Sequence, residues 1–152
     1  MRSQDFMREA MALAEKAAEM GEVPVGAVVT KNGEIIGRGY NTRETENSIL
    51  GHAEINAINE ASKALGDWRL DGCDLYVTLE PCPMCAGAII NARIGRVFFG
   101  AYDNVMGSFQ SVADFSTLGY PNSPEIHGGI LEKECKEKLT DFFDSIRKGE
   151  KL

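Results

Sequence analysis

The spacing of hydrophobic positions changes several times along the chain, and each change marks an element. Over residues 3–20, Phe6, Ala10, Leu13, Ala14 and Ala17 recur at threes and fours, which is one helical face, and Gly21 closes the run. Residues 23–30 and 34–40 are β-rich and meet across Asn32-Gly33, a pair that tolerates the positive φ angles of a tight hairpin, so the two should pair antiparallel. Residues 42–50 carry polar clusters without a period and read as a loop. His52 then opens a helical pattern through Ile55, Ala57, Ile58, Ala61 and Leu65 that Gly66 ends.

The second half repeats the alternation. Residues 75–79 form a short apolar strand that Glu80-Pro81 breaks, and the small residues of 83–91 make a helix with Pro83 in its first turn. A buried strand follows at 95–100. Beyond Asp103 the pattern weakens to a short helix over 109–118, a short strand over 125–127 and a final helix over 131–147. Helices alternating with β-runs after an opening hairpin predict one mixed sheet covered on both faces, a three-layer α/β/α domain. It should span residues 1–152 without a repeat or a linker.

Composition narrows the class. A chain of 152 residues, 43% apolar and 26% charged, is the size of one domain with its own core. No uncharged apolar stretch approaches the roughly 18 residues of a membrane span, and no apolar signal core opens the chain, so a cytoplasmic protein is expected. Sixteen basic against 23 acidic side chains give a net charge of −7, which excludes a globally basic nucleic-acid binder and leaves any polyanion to a local patch.

The four cysteines are Cys73, Cys82, Cys85 and Cys135, and a chain of this length needs no disulfide staple. Cys73 and Cys135 stand alone and read as small buried hydrophobes. Cys82-x-x-Cys85 in a reduced protein is a metal site or a redox dithiol before it is a buried pair. At a helix start the two thiols face one way, and the free N–H groups there stabilise thiolates.

His52 adds an imidazole, and three protein ligands are the number that a catalytic zinc keeps when its fourth position stays open for water. The only other histidine, His127, reads as an ordinary strand or loop residue. His52 and Glu54 are two apart and cannot share a helix face, so they converge only if the helix aims its first turn at the site. Two thiolates and a neutral imidazole balance Zn²⁺, which leaves the Glu54 carboxylate free for proton transfer during hydrolytic removal of an amine. Asn41 ends the hairpin, where its amide is either turn chemistry or a contact to a base edge. Phe142, at helical spacing with Leu139 and Ile146, reads as core. The basic tail 147–151 is a solvated end that a phosphate could meet.

These residues carry a resemblance. His52-Ala53-Glu54 followed by Pro81-Cys82-Pro83-Met84-Cys85 is the pattern of zinc deaminases. The chain resembles the cytidine deaminase superfamily, and within it the bacterial tRNA-specific adenosine deaminases, over nearly its whole length. Gly21-Glu22-Val23-Pro24-Val25-Gly26, Phe99-Gly100-Ala101, Gly129-Ile130-Leu131 and Asp141-Phe142-Phe143 extend the likeness beyond the zinc motifs.

The resemblance implies a five-stranded mixed sheet and a homodimer with one zinc per subunit, held by His52, Cys82 and Cys85. Glu54 would shuttle protons, Asn41 would contact the flipped base, Asp103 would lie beside the nucleotide's sugar, and Phe143 would line the nucleic-acid groove. The implied partner is a tRNA anticodon loop whose wobble adenosine becomes inosine. Three segments depart from the family's pattern and are expected at the substrate mouth: 48–51, 104–110 and 122–125. Their Ile, Leu, Val, Met and Glu side chains keep a second reading open, a deaminase of a free nucleobase or nucleoside such as guanine or cytosine. A third reading is a zinc-stabilised binding module without catalysis, in which Glu54 would be idle.

Overall fold

The structure is a computed structural model and describes residues 2–149. Helix α1 (Ser3–Glu19) is followed by β1 (Gly26–Lys31) and β2 (Glu34–Tyr40), then α2 (Ala53–Leu65), β3 (Cys73–Leu79), α3 (Pro83–Asn91), β4 (Arg96–Ala101), β5 (Glu125–His127) and α4 (Glu132–Arg147). One five-stranded sheet runs β2-β1-β3-β4-β5. The first two pairings out of β1 are antiparallel, and β3, β4 and β5 are parallel, so the sheet is mixed as expected. Asn32 and Gly33 turn the hairpin with φ of 51° and 79°, the left-handed pair that a two-residue connection needs. The first strand begins at Gly26, later than the β-rich run, because Pro24 has no N–H to give to a ladder.

Side chains alternate across the sheet and sort into two cores. Ala27, Val29, Leu75, Val77, Val97 and Phe99 face α2 and α3, meeting Ala53, Ala57, Ala61, Ala86 and Ile89. Val28, Tyr76 and Phe98 face the other way, toward Phe6, Met7 and Ala10 of α1 and Cys135 of α4. On that second face the Tyr76 and Phe98 rings stack at 4.6 Å, with Phe6 on one side and His127 on the other. Cys73 and Cys135 are buried and unbridged, and Phe142 is 5% exposed, all as their spacing suggests.

Two glycines govern how α2 sits. Gly37 and Gly39 lie on one face of β2, and a Cβ on Gly39 would run into the Ala53 carbonyl oxygen and stand 2.5 Å from Ala57 N. The absence of those side chains lets the helix axis lie against the strand backbone. Beyond α2, the one tryptophan, Trp68, is 54% exposed, with the Arg69 and Arg93 guanidinium carbons 4.7 and 5.6 Å from its ring centre.

The expected helix over 109–118 reduces to a single 3-10 turn, Phe115–Thr117. The Asp114 side chain accepts from Ser116 N, and Ser108 O takes Phe115 N, so local polar groups claim the donors that a longer helix would need.

Candidate active site

Two helix starts converge on one point. His52 is the N-cap of α2 and Cys82 the N-cap of α3, each with extended backbone, while Cys85 lies one turn into α3. The cap position resolves the spacing problem at His52 and Glu54. His52 stands outside the helix, so its ring turns toward α3 while Glu54, in the first turn, reaches the same space.

His52 Nδ1 is 3.7 Å from Cys82 Sγ and 3.4 Å from Cys85 Sγ, and the three ligand atoms lie within 4.8 Å of one another. Tetrahedral zinc with Zn–S near 2.3 Å and Zn–N near 2.05 Å sets sulfur and nitrogen about 3.6 Å apart. The observed separations bracket that value, so the donor set fits a zinc ion, and no fourth His, Cys, Asp or Glu joins the cluster among the described residues.

The electrostatics set the two thiols apart. The Cys85 thiol as hydrogen-bond partner, with the His52 ring and the Cys85 main chain, outweighs burial and brings the Cys82 thiol down to about 4. That shared contact and burial push Cys85 far up, and the bond to Cys82 raises His52. Glu54 is 4% exposed, and burial lifts its carboxyl to about 7, opposed by its own backbone N–H and by His52.

His52, Glu54 and Cys82 line a cavity of about 540 Å³, within the range of small-molecule sites, and Cys85 is buried behind its wall. Asn41 is on its wall, 8% exposed. Its Nδ2 donates to Val23 O at 3.4 Å, and its Oδ1 is buried without a partner among the described residues. Asp103 also faces the cavity, with Oδ1 accepting from the N–H groups of Val105 and Met106 at 3.0 and 3.1 Å. Phe143 does not line it: the ring is 43% exposed on α4, edge-on to Phe142. The tail beyond residue 149 lies outside the described residues.

Of the three divergent segments, two reach the mouth through Ile49 and Met106. The third does not. Glu125 pairs with Arg96 at the start of β4, whereas Asp103 follows the far end of that strand, so 122–125 sits at the opposite end of the parallel strands from the site. A short parallel β5 sends the chain there, which no local pattern announces.

Three residues at the site escaped the sequence reading. Arg43 is exposed and is the cation on the cavity wall. Glu22 and Glu80 are each 1% exposed and make no salt bridge among the described residues. Burial raises the Glu22 carboxyl, yet bonds from the Thr45 hydroxyl and the N–H groups of Thr45 and Glu44 leave it below the usual range. Burial likewise raises Glu80, and bonds from Ser111, Asp103 and Gln110 bring it down overall. Their one signal in the sequence is a carboxylate set inside an apolar run, at Gly21-Glu22-Val23 and Leu79-Glu80-Pro81.

Comparison with known proteins gives the family. The chain is 49% identical over 147 residues to the tRNA-specific adenosine deaminase of Bacillus subtilis, covering 96% of this chain and 91% of that protein. It superposes with a TM-score of 0.85 and 45% identity on a structure from studies of A-to-I editing by tRNA:A34 deaminases at the wobble position of transfer RNA, over 89% of this chain and 99% of that one. A guanine deaminase from Bacillus subtilis matches at 39% identity with a TM-score of 0.65, over 81% of this chain and 73% of that one. Residues 1–133 match the MafB19-like deaminase family. The chain belongs to that family and is a hydrolytic deaminase acting on a carbon–nitrogen bond.

Proposed function

We propose that the chain converts the wobble adenosine of a tRNA anticodon loop to inosine, as a cytoplasmic homodimer with one zinc per subunit. The observation that carries this reading is the 49% identity, over almost the whole of both chains, to a tRNA-specific adenosine deaminase. His52, Cys82 and Cys85 hold the metal, which when bound supplies the Lewis acidity that makes water nucleophilic near neutral pH. Glu54 accepts one proton from the attacking water and gives it to the ring nitrogen, then accepts the second from the new hydroxyl group and gives it to the departing amine. Water's oxygen replaces the amino group, and ammonia leaves.

The remaining residues bind and orient. Asn41 Oδ1 is a buried acceptor that a donor on the nucleoside satisfies, which offsets the cost of leaving it bare. Asp103 offers its second oxygen to a ribose hydroxyl, Arg43 meets a flanking phosphate, and the exposed Phe143 ring stacks on a neighbouring nucleotide. A cavity of this size takes one base and its sugar, so the target must leave its stack to reach Glu54.

A second reading, a free-base deaminase, is favoured by the apolar side chains at the mouth, Ile49 and Met106, and by the likeness to the guanine deaminase. The test is to incubate the zinc-loaded protein with an anticodon stem-loop carrying a wobble adenosine and, separately, with free bases and nucleosides, measuring ammonia and inosine. Inosine in the RNA is the expected result. Ammonia from guanine or another free base, with the RNA unchanged, overturns the tRNA assignment. Light scattering of the same sample reads the dimer.

A further inference from the structure

Glu22 and Glu80 take no part in the chemistry above, yet each is buried against a loop that walls the cavity. Glu22 Oε2 accepts from Thr45 N and Thr45 Oγ1, both at 2.6 Å, and Oε1 accepts from Glu44 N at 3.2 Å. That loop carries Arg43 and Ile49 to the mouth. Across the opening, Glu80 Oε2 accepts from the N–H groups of Phe109, Gln110 and Ser111 at 3.2, 2.8 and 2.9 Å. Its Oε1 accepts from Asp103 N at 3.1 Å and from the Ser111 hydroxyl. This second loop carries Asp103 and Met106. Gly107 is packed so closely over the Glu80 carboxylate that a Cβ there would overlap it.

We propose that Glu22 and Glu80 are positioning residues of the substrate mouth: two buried carboxylates that gather the main-chain donors of loops 42–51 and 103–111 and so fix the width of the opening. The inference rests on the deaminase reading and adds to it the device that selects between a nucleotide extruded from RNA and a free base. Neither loop has a helix or a strand of its own across these residues; turn bonds such as Ser48 N to Arg43 O and Gly107 N to Asp103 O satisfy some of their donors, and the N–H groups that the two carboxylates hold would otherwise be met by water in varying arrangements. One carboxylate bonded to several N–H groups replaces that variety with a single conformation. Hydrogen bonds to a charged acceptor are the strong kind, and an unbridged carboxylate is stable in the interior only while those donors are present.

The test uses the zinc-loaded, full-length Glu22→Gln and Glu80→Gln proteins, with bound zinc measured first. Glutamine keeps the size but turns an NH₂ group toward N–H donors. Amide hydrogen exchange should accelerate about tenfold or more at Glu44 and Thr45 in the first variant and at residues 109–111 in the second, the cost of losing charge-assisted bonds. KM for the anticodon stem-loop should rise about tenfold with kcat within about threefold, and the relative rate on free nucleosides should rise. Should Glu80→Gln fail to fold or to hold zinc, Ser111→Ala removes one donor and leaves the carboxylate in place, with the same direction expected.

Unchanged exchange in the loops overturns the proposal. So does faster exchange with an unchanged KM, or a fall in kcat that is equal for every substrate, which is a general structural defect. A wild-type protein that releases no ammonia from any of these substrates defeats the functional reading instead, and the exchange measurement then decides the anchoring alone.

Discussion

Replacing Gly39 by alanine tests whether the seating of α2 on β2 sets the active-site geometry. The new methyl carbon would stand 2.5 Å from Ala57 N and 2.9 Å from Asn56 Cβ and would strike the Ala53 carbonyl, so the helix must withdraw by about 1 Å to restore ordinary contact. Ala53 is the first residue of α2, flanked by His52 and Glu54, and the cysteines are anchored separately on α3. Withdrawal therefore opens the 3.4 and 3.7 Å separations between His52 Nδ1 and the two sulfurs. Overpacking of this kind costs about 1–3 kcal/mol, or roughly 3–10 °C in Tm for a chain of this size. A displacement of about 1 Å at reacting groups costs on the order of a hundredfold in rate.

Gly37→Ala is the control. Its methyl would strike the Ala57 carbonyl and stand 2.8 Å from Ala61 N, one turn further along the same helix from His52 than the Gly39 contacts. Both variants should lose comparable stability, while only Gly39→Ala should lose zinc affinity and most of its kcat/KM. Thermal melts, a zinc titration with a chromogenic chelator and ammonia release read the three quantities. Equal effects of the two variants on zinc and rate, or full activity of Gly39→Ala, would refute the argument.

Four further outcomes follow from the site. Glu54→Gln should keep zinc at wild-type stoichiometry and lose about 10²–10⁴ in kcat by ammonia release, and a variant that stays active removes Glu54 from proton transfer. Asn41→Leu removes a buried acceptor that has no partner, so urea melts should show stability within about 1 kcal/mol of wild type or higher, while KM rises. Removing zinc with a chelator should lower Tm and abolish ammonia release together, because an ion held by His52, Cys82 and Cys85 would tie α2 to α3. Glu22 has a folded pKa below its ordinary 4.5, so its stabilising contribution is complete above that value and is lost as pH falls through the folded pKa. The stability gap between wild type and Glu22→Gln in urea should accordingly be full at neutral pH and shrink below pH 4.5; a gap that does not depend on pH contradicts the assignment.

Most of the fold could be read from period alone, since α1, α2, β3 and α3 are long enough or sharply enough bounded for one spacing to dominate. The cluster that could hold a metal is legible for a different reason: a histidine and two cysteines at helix starts have few other uses. The loops are not. Residues 109–118 look helical by composition, but Glu80, Ser108 and Asp114 claim their donors, and that competition depends on a strand end some thirty positions earlier. The resemblance puts segment 122–125 at the mouth because it departs from the family's pattern there, whereas its distance from the site is set by the parallel pairing of β5, a long-range fact. Glu22 and Glu80 share this difficulty, because a lone carboxylate looks solvated until the fold covers it, and Arg43 stays exposed, so that only the path of loop 42–51 brings it to the cavity.

Trp68 decides how unfolding of this chain will look to a spectrometer. Being the sole indole and half in solvent between two guanidinium groups, it already emits toward the red in the native state and reports on the joint after α2. The stacked phenol of Tyr76, deep on the other side of the sheet, gives the near-ultraviolet dichroism that tracks the interior. Coincident curves from the two chromophores would certify a one-step transition, and an earlier emission change would mark that joint as the first part to let go.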